Sequence, residues 1–166
     1  MVDRSFLQSH ALFGGISDSD IAIVEAQLKN EQFASGEYLF RQGDAGDRLL
    51  LICKGSVEIL DEEGHATPVR LAVRGVGNSI GEMALIDIQS RSASVRALEP
   101  VTAMSLSCQS LLSIYQSTPE LFTQIIVNIA REISRRLRSM DALLSSALYD
   151  AGHERDGKQT PTTEPD

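Results

Sequence analysis

The sequence has no tryptophan, two cysteines, three histidines and five prolines in 166 residues. Cys53 and Cys108 lack metal-type spacing and supply no disulfide framework, so they read as buried, reduced thiols of a cytoplasmic chain. His10, His65 and His153 fall in three separate contexts, which excludes the clustered imidazoles of a jelly-roll metalloenzyme. A basic surplus is also missing. Lys plus Arg number 15 against 23 Asp plus Glu, a net charge of −8, and a nucleic-acid surface needs a basic face. No apolar run approaches the roughly 18 residues of a membrane span. The N-terminus, MVDRSFLQSH, has no apolar core of a signal peptide. No nucleophile–base pair stands out. The expectation is therefore a non-enzyme with no metal and no cofactor, away from membrane and nucleic acid.

Hydrophobic residues make up 42% of the chain and charged residues 23%, ordinary values for a globular domain with a real core. The pattern changes three times along it. Residues 1–32 read as a helical segment: a short turn over 6–13 ends at Gly14-Gly15. A helix then starts at Ser17, capped by Ser17 with Asp20 three residues on, and runs to near Asn30. Residues 33–107 read as short strands between glycine turns at Gly36, Gly43, Gly46 and Gly55, which suggests a barrel or sandwich. Asp61-Glu62-Glu63-Gly64 marks a hairpin. Residues 108–149 read as helical. Thr118-Pro119-Glu120 opens a long helix, with proline in the first turn and an acid at the positive end of the dipole. Its apolar residues Phe122, Ile126, Ile129, Ile133, Leu137, Met140, Leu144 and Ala147 recur at steps of three and four, like a coiled-coil seam. One small barrel cannot cover so long a seam, so a homodimer through this helix is expected. Residues 150–166 read as a disordered polar tail.

Residues 81–95, GEMALIDIQSRSASV, are the stretch that carries chemistry. The run Met83-Ala84-Leu85-Ile86 is too short for a core helix. One helical turn there aims free backbone N–H groups at an anion. A folded-back connector would bring Arg91 to the same anion, and Glu82 would accept a hydroxyl. The residues alone describe a pocket for a small phosphorylated ligand. The bland alternative is a surface ion pair between Glu82 and Arg91. The acids of Asp44-x-x-Asp47 read as turn residues.

Four glycine-anchored motifs in order extend this reading. Phe33-x-x-Gly36-Glu37, Gln42-Gly43-Asp44-x-Gly46-Asp47, Lys54-Gly55-Ser56-Val57 and the 81–95 cassette together resemble the cyclic-nucleotide-binding domain. That family includes the catabolite activator proteins, the regulatory subunits of cAMP-dependent protein kinase and cyclic-nucleotide-gated channels. The resemblance covers about residues 6–148. It implies a mainly β fold, a jelly-roll-like β-roll flanked by helices. It also implies that Glu82 accepts the ribose 2′-hydroxyl and that Arg91 neutralises the cyclic phosphate. Amides of Gly81, Met83, Ala84, Ser92 and Ala93 would serve as donors, and Val57, Leu71, Met83 and Val95 as an apolar wall. Arg136, Leu137, Met140 or Asp141 of the long helix would meet the base, with Arg136 and Met140 as the site candidates.

Two departures from the family pattern stand out. Arg74 replaces an apolar residue in the strand before the cassette, and no aromatic precedes Tyr149 late in the long helix. The expected ligand is cAMP, with cGMP or a cyclic dinucleotide as alternatives; Ser92 leaves the base open. Only about 18 residues follow Leu148, too few and too polar for a DNA-binding domain. The expectation is a sensor module acting on an effector protein in trans, or a piece of a longer chain. A ligand-free dimeric interaction module is the rival from another class.

Overall fold

The structure, a computed structural model, describes residues 4–64, 66–87 and 89–156, with side chains as far as Tyr149. Helix α1 (Arg4–Ser9), a 3₁₀ turn (Ala11–Phe13) and α2 (Asp18–Gln27) precede the strands. The strands are β1 (Lys29–Phe33), β2 (Tyr38–Phe40), β3 (Arg48–Lys54), β4 (Val57–Asp61), β5 (Val69–Arg74), β6 (Ser79–Ile80), β7 (Ser94–Ala97) and β8 (Val101–Ser107). A second 3₁₀ turn, Glu82–Leu85, separates β6 from β7, and α3 (Cys108–Ser117) and α4 (Pro119–Asp156) close the described chain.

The strands form two antiparallel four-stranded sheets, ordered β1-β8-β3-β6 and β2-β7-β4-β5. Between them lies a core of Leu39, Leu50, Ile52, Val57, Ile80, Val95, Ala97, Val101 and Ala103, against which Phe33, Phe40 and Ile59 pack. The expected β-roll with flanking helices is the fold observed. β3 shows why its sequence is an unbroken apolar run. Successive side chains alternate between faces. Leu50 and Ile52 enter the inter-sheet core, while Leu49 and Leu51 on the other face are equally buried.

The helix starts follow local chemistry. Ser17 caps α2 by accepting from Asp20 N at 3.2 Å. Ser107 caps α3 by accepting from Ser110 N at 3.0 Å. Two elements depart from the sequence expectation. α2 ends at Gln27, and Lys29–Phe33, placed partly in that helix, is instead a strand. Its sequence, KNEQF, has no apolar alternation. It is a strand because it pairs with β8, Lys29 opposite Ser105 through Phe33 opposite Val101.

The second departure is α4, which runs on to Asp156, past the expected end at Leu148. The part of the expected tail at 157–166 lies outside the described residues. The described chain divides into two compact units between Ile129 and Ala130. In the first, the buried face of α4 is Leu121, Ile125, Asn128 and Ile129. Of the expected seam only Ile129 is on this face; Phe122 and Ile126 are half-buried. Asn128 is buried because it has work there. Its Nδ2 donates to Leu12 O at 3.0 Å and Gly14 O at 2.9 Å, tying α4 to the first 3₁₀ turn. In the second unit, Leu137, Met140 and Leu144 are 58%, 66% and 60% exposed.

Candidate functional site

Gly81 opens the cassette in the left-handed region, φ +76°. A β-carbon there would stand 2.5 Å from Arg91 Nη1 and 3.2 Å from Arg48 O, so both backbone angle and space require glycine. The single turn expected from the sequence follows as Glu82–Leu85. Glu82 and Ala84 face inward and are buried, whereas Met83 is 48% exposed.

Arg91 is pinned by its backbone. It donates N–H to Asp44 O at 2.8 Å, and its carbonyl accepts from Gly43 N at 2.9 Å. The loop between β2 and β3 thus grips the end of the cassette. Gly46 explains how the loop comes so close: a β-carbon there would sit 2.4 Å from Ala84 Cβ and 2.7 Å from Gln89 O. Read as a turn residue from the sequence, Gly46 is a packing residue in the fold.

The Arg91 guanidinium is enclosed, its side chain 3% exposed. Nη2 donates to Arg48 O at 2.8 Å and to Asp47 Oδ1 at 3.3 Å, and Nη1 donates to Gly81 O at 3.2 Å. Its carbon lies 4.0 Å from the centre of the Phe40 ring. Nε is buried without a hydrogen-bond partner. Burial pulls the pKa of this guanidinium down; Asp47 opposes the shift and Arg48 adds to it. An arginine so placed still carries its charge at neutral pH. Glu82 is equally enclosed, 6% exposed, so the two groups are not a surface ion pair. Asp47, read as a turn residue, is the carboxylate that faces Arg91, whereas Asp44 is a turn acid whose Oδ2 accepts from Arg41 N at 2.8 Å.

A cavity of about 440 Å³ lies against the cassette exit, lined by Gln42, Gly43, Glu62, Glu63, Ser90, Arg91 and Ser92. That size suits a small ligand. Its rim is fixed by a polar network. Tyr38 Oη donates to Glu62 Oε1 at 3.0 Å, Ser94 Oγ donates to Glu62 Oε2, and Gln42 N donates to Ser94 Oγ at 2.9 Å. The Ser94 hydroxyl, helped by Tyr38 and Arg41, holds the Glu62 carboxyl below its ordinary range. Among the described residues no group of histidine, cysteine or acid is arranged to hold a metal.

The residues expected at the site fall into three groups. Gly81, Glu82, Ala84, Arg91, Ser92 and Ala93 belong to one cassette in the first unit. Val57 and Val95 are sealed in the core, 0% and 2% exposed, while Leu71 and Met83 are 58% and 48% exposed. Arg136 and Met140 lie in the second unit, where Arg136 Nε donates to Glu132 Oε1 at 3.0 Å and Met140 is exposed. Phe40 and Arg48 carry no signal in the sequence, and Asp47 reads there only as a turn acid. Phe40 and Arg48 hold Arg91 by ring and carbonyl, features that spacing does not reveal.

Comparison with known proteins identifies the family. A family model described as the cyclic nucleotide-binding domain matches residues 30–118. The chain belongs to the cyclic-nucleotide-binding domain family. A CRP-like cAMP-activated global transcriptional regulator of Mycobacterium tuberculosis is 29% identical over 138 residues, covering 83% of this chain and 60% of that protein. The chain therefore spans under two thirds of that relative's length. The cGMP-dependent protein kinase isozyme 1 of Drosophila melanogaster is 35% identical over 98 residues, 58% of this chain and 13% of that protein. Among solved structures, a cyclic nucleotide-binding domain from Methylobacillus flagellatus superposes with a TM-score of 0.77 at 28% identity, covering 86% of this chain and 80% of that one. Family members of this kind are regulatory binding domains. No helix among the described residues is long and apolar enough to cross a membrane.

Proposed function

We propose that this chain is a cytoplasmic regulatory module that binds a cyclic nucleotide at the 81–95 cassette and does no catalysis. The observation that carries this reading is Arg91. Its guanidinium is nearly inaccessible, yet its carboxylate partner Asp47 is 64% exposed and 3.3 Å away. A buried charge is costly unless paired and hydrogen-bonded. A cyclic phosphate would complete that pairing, reaching the unused Nε and the Ser92 hydroxyl, while Glu82 accepts from the ribose. Charge-assisted bonds of this type are the strong ones. cAMP is named by the Mycobacterium relative and cGMP by the Drosophila one, and both are candidates. Calorimetric titration with cAMP, cGMP and cyclic di-GMP in parallel tests the reading. One-site binding of a cyclic mononucleotide supports it. Binding of the dinucleotide alone replaces the ligand, and no binding by folded protein favours a ligand-free interaction module.

The signal would leave through α3 and α4. Leu85 of the cassette turn, Cys108, Leu111, Leu112 and Tyr115 of α3, and Phe122 of α4 line one apolar groove of about 430 Å³. Tyr115 and Phe122 meet edge to face there, ring centres 5.1 Å apart. A cassette ordered by phosphate shifts Leu85 against this corner, and ligand then biases the position of α4 as a population shift. The exposed Leu137, Met140 and Leu144 would be covered by a second copy of the chain, and the effector is contacted in trans. Hydrogen exchange across 119–148 is expected to slow on nucleotide addition. Unchanged protection there, with nucleotide bound, contradicts the signalling route.

A further inference from the structure

Arg74 is a cation on an apolar surface. Val57 pairs with both Arg74 and Ala97, so these three form one cross-strand row. Residues directly opposite one another share a face of the sheet. That face is the inner one, because Val57 and Ala97 belong to the core. The adjoining row, Phe40, Val95, Ile59 and Ala72, is apolar throughout. Exposure rises from Val57 to Arg74 and from Val95 through Ile59 to Ala72, toward β5, the edge strand. Val57 and Val95 are sealed, whereas Ile59, Ala72 and Arg74 are half-buried. The inner face is thus partly exposed at its β5 end, where Arg74 stands. Its Nη1 donates to the carbonyl of its neighbour Val73 at 3.1 Å, and among the described residues no carboxylate pairs with it.

The apolar row starts at the phosphate end of the site, since the Arg91 guanidinium rests on Phe40. From Phe40 on β2 to Ala72 on β5 is three strand spacings, roughly 14 Å. A nucleotide held by its phosphate at Arg91 and laid along this face brings its base toward β5, within reach of a long arginine. Resting on the cyclic-nucleotide reading above, we infer that Arg74 selects the base and favours guanine over adenine. A guanidinium has donors only. Guanine offers two acceptors, O6 and N7, on one edge, which a guanidinium fork matches with two bonds. Adenine offers N7 beside an amino donor, so one arm of the fork would meet a donor. The Val73 carbonyl that Arg74 leaves lies on an exposed edge strand and takes water instead.

Parallel titrations of cAMP and cGMP into wild type, Arg74→Leu and Arg74→Lys test this. Wild type is expected to bind cGMP about 10-fold more tightly than cAMP. Arg74→Leu is expected to weaken cGMP and leave cAMP within about twofold, which removes the preference. Arg74→Lys keeps the charge without the fork and is expected to lose most of it too. Thermal unfolding of each variant verifies the fold. An unchanged affinity ratio in Arg74→Leu, or a wild type that prefers cAMP, overturns the inference and leaves the receptor reading standing. Binding of neither nucleotide by folded wild type overturns both.

Discussion

Replacing Arg91 by alanine is expected to weaken cyclic-nucleotide binding by roughly 30- to 1,000-fold, about 2–4 kcal/mol. The size of the effect follows from enclosure. An exposed arginine–phosphate pair is screened by water and salt and contributes little. Arg91 is 5% exposed and stacked on Phe40, so its contact with a phosphate would be largely dry. Alanine also leaves the carbonyls of Gly81 and Arg48 without the donors they now accept from. The variant is therefore expected to melt somewhat earlier than wild type. Titration must be done well below its melting temperature, so that lost binding is not lost folding. Arg91→Lys separates charge from shape, because an ammonium keeps the charge but cannot reach the same carbonyls as a planar fork. It is expected to fall between wild type and alanine. Equal affinities for wild type and Arg91→Ala would show that the ligand is held elsewhere.

Gly81→Val is expected to be the most damaging single change in the cassette. Two costs add. A side chain in the left-handed region costs about 1–2 kcal/mol, and forcing extra carbons into packed space costs about 1–3 kcal/mol more. The nearest atoms are the Arg91 guanidinium at 2.5 Å and the backbone carbonyl of Arg48 at 3.2 Å. The guanidinium can move; the carbonyl cannot move without shifting β3. Relief therefore comes by expelling Arg91 from its seat, and binding should fall at least as far as in Arg91→Ala. Gly36→Ala is the control. Its φ is +80° but no atom lies within 4 Å of the added carbon, so it should lose stability and retain binding. If Gly36→Ala loses binding as Gly81→Val does, the effect is general destabilisation and not displacement of Arg91. Urea unfolding and calorimetry on the same preparations make the comparison.

The parts of the fold that were legible in the sequence are those set by local chemistry. Ser17 and Asp20 announced the start of α2, and the glycine-punctuated runs announced the strands. The glycine-led acid and the distant arginine mark residues 81–95 in the sequence, and Glu82 and Arg91 are both buried in the fold. The parts that were not legible depend on partners far away in the chain. Lys29–Phe33 is polar and becomes a strand only because β8 offers it an edge. The buried stripe of α4 includes Asn128, which a hydrophobic pattern discards and which is buried for the carbonyls of Leu12 and Gly14. Gly46 looks like any turn glycine until Ala84 is placed against it. Val57 and Val95 fit an apolar wall by residue type, but type cannot tell a core residue from a pocket residue. Ile59, two residues along β4 from Val57, is half-buried on the inner face.

The most direct test of the central claim is amide chemical-shift mapping of the folded chain titrated with cAMP and with cGMP. The largest changes are predicted at 81–85 and 91–93, saturating at one ligand per chain. Spectra that stay unchanged at saturating nucleotide, or that shift only away from these residues, would contradict a phosphate site at Arg91.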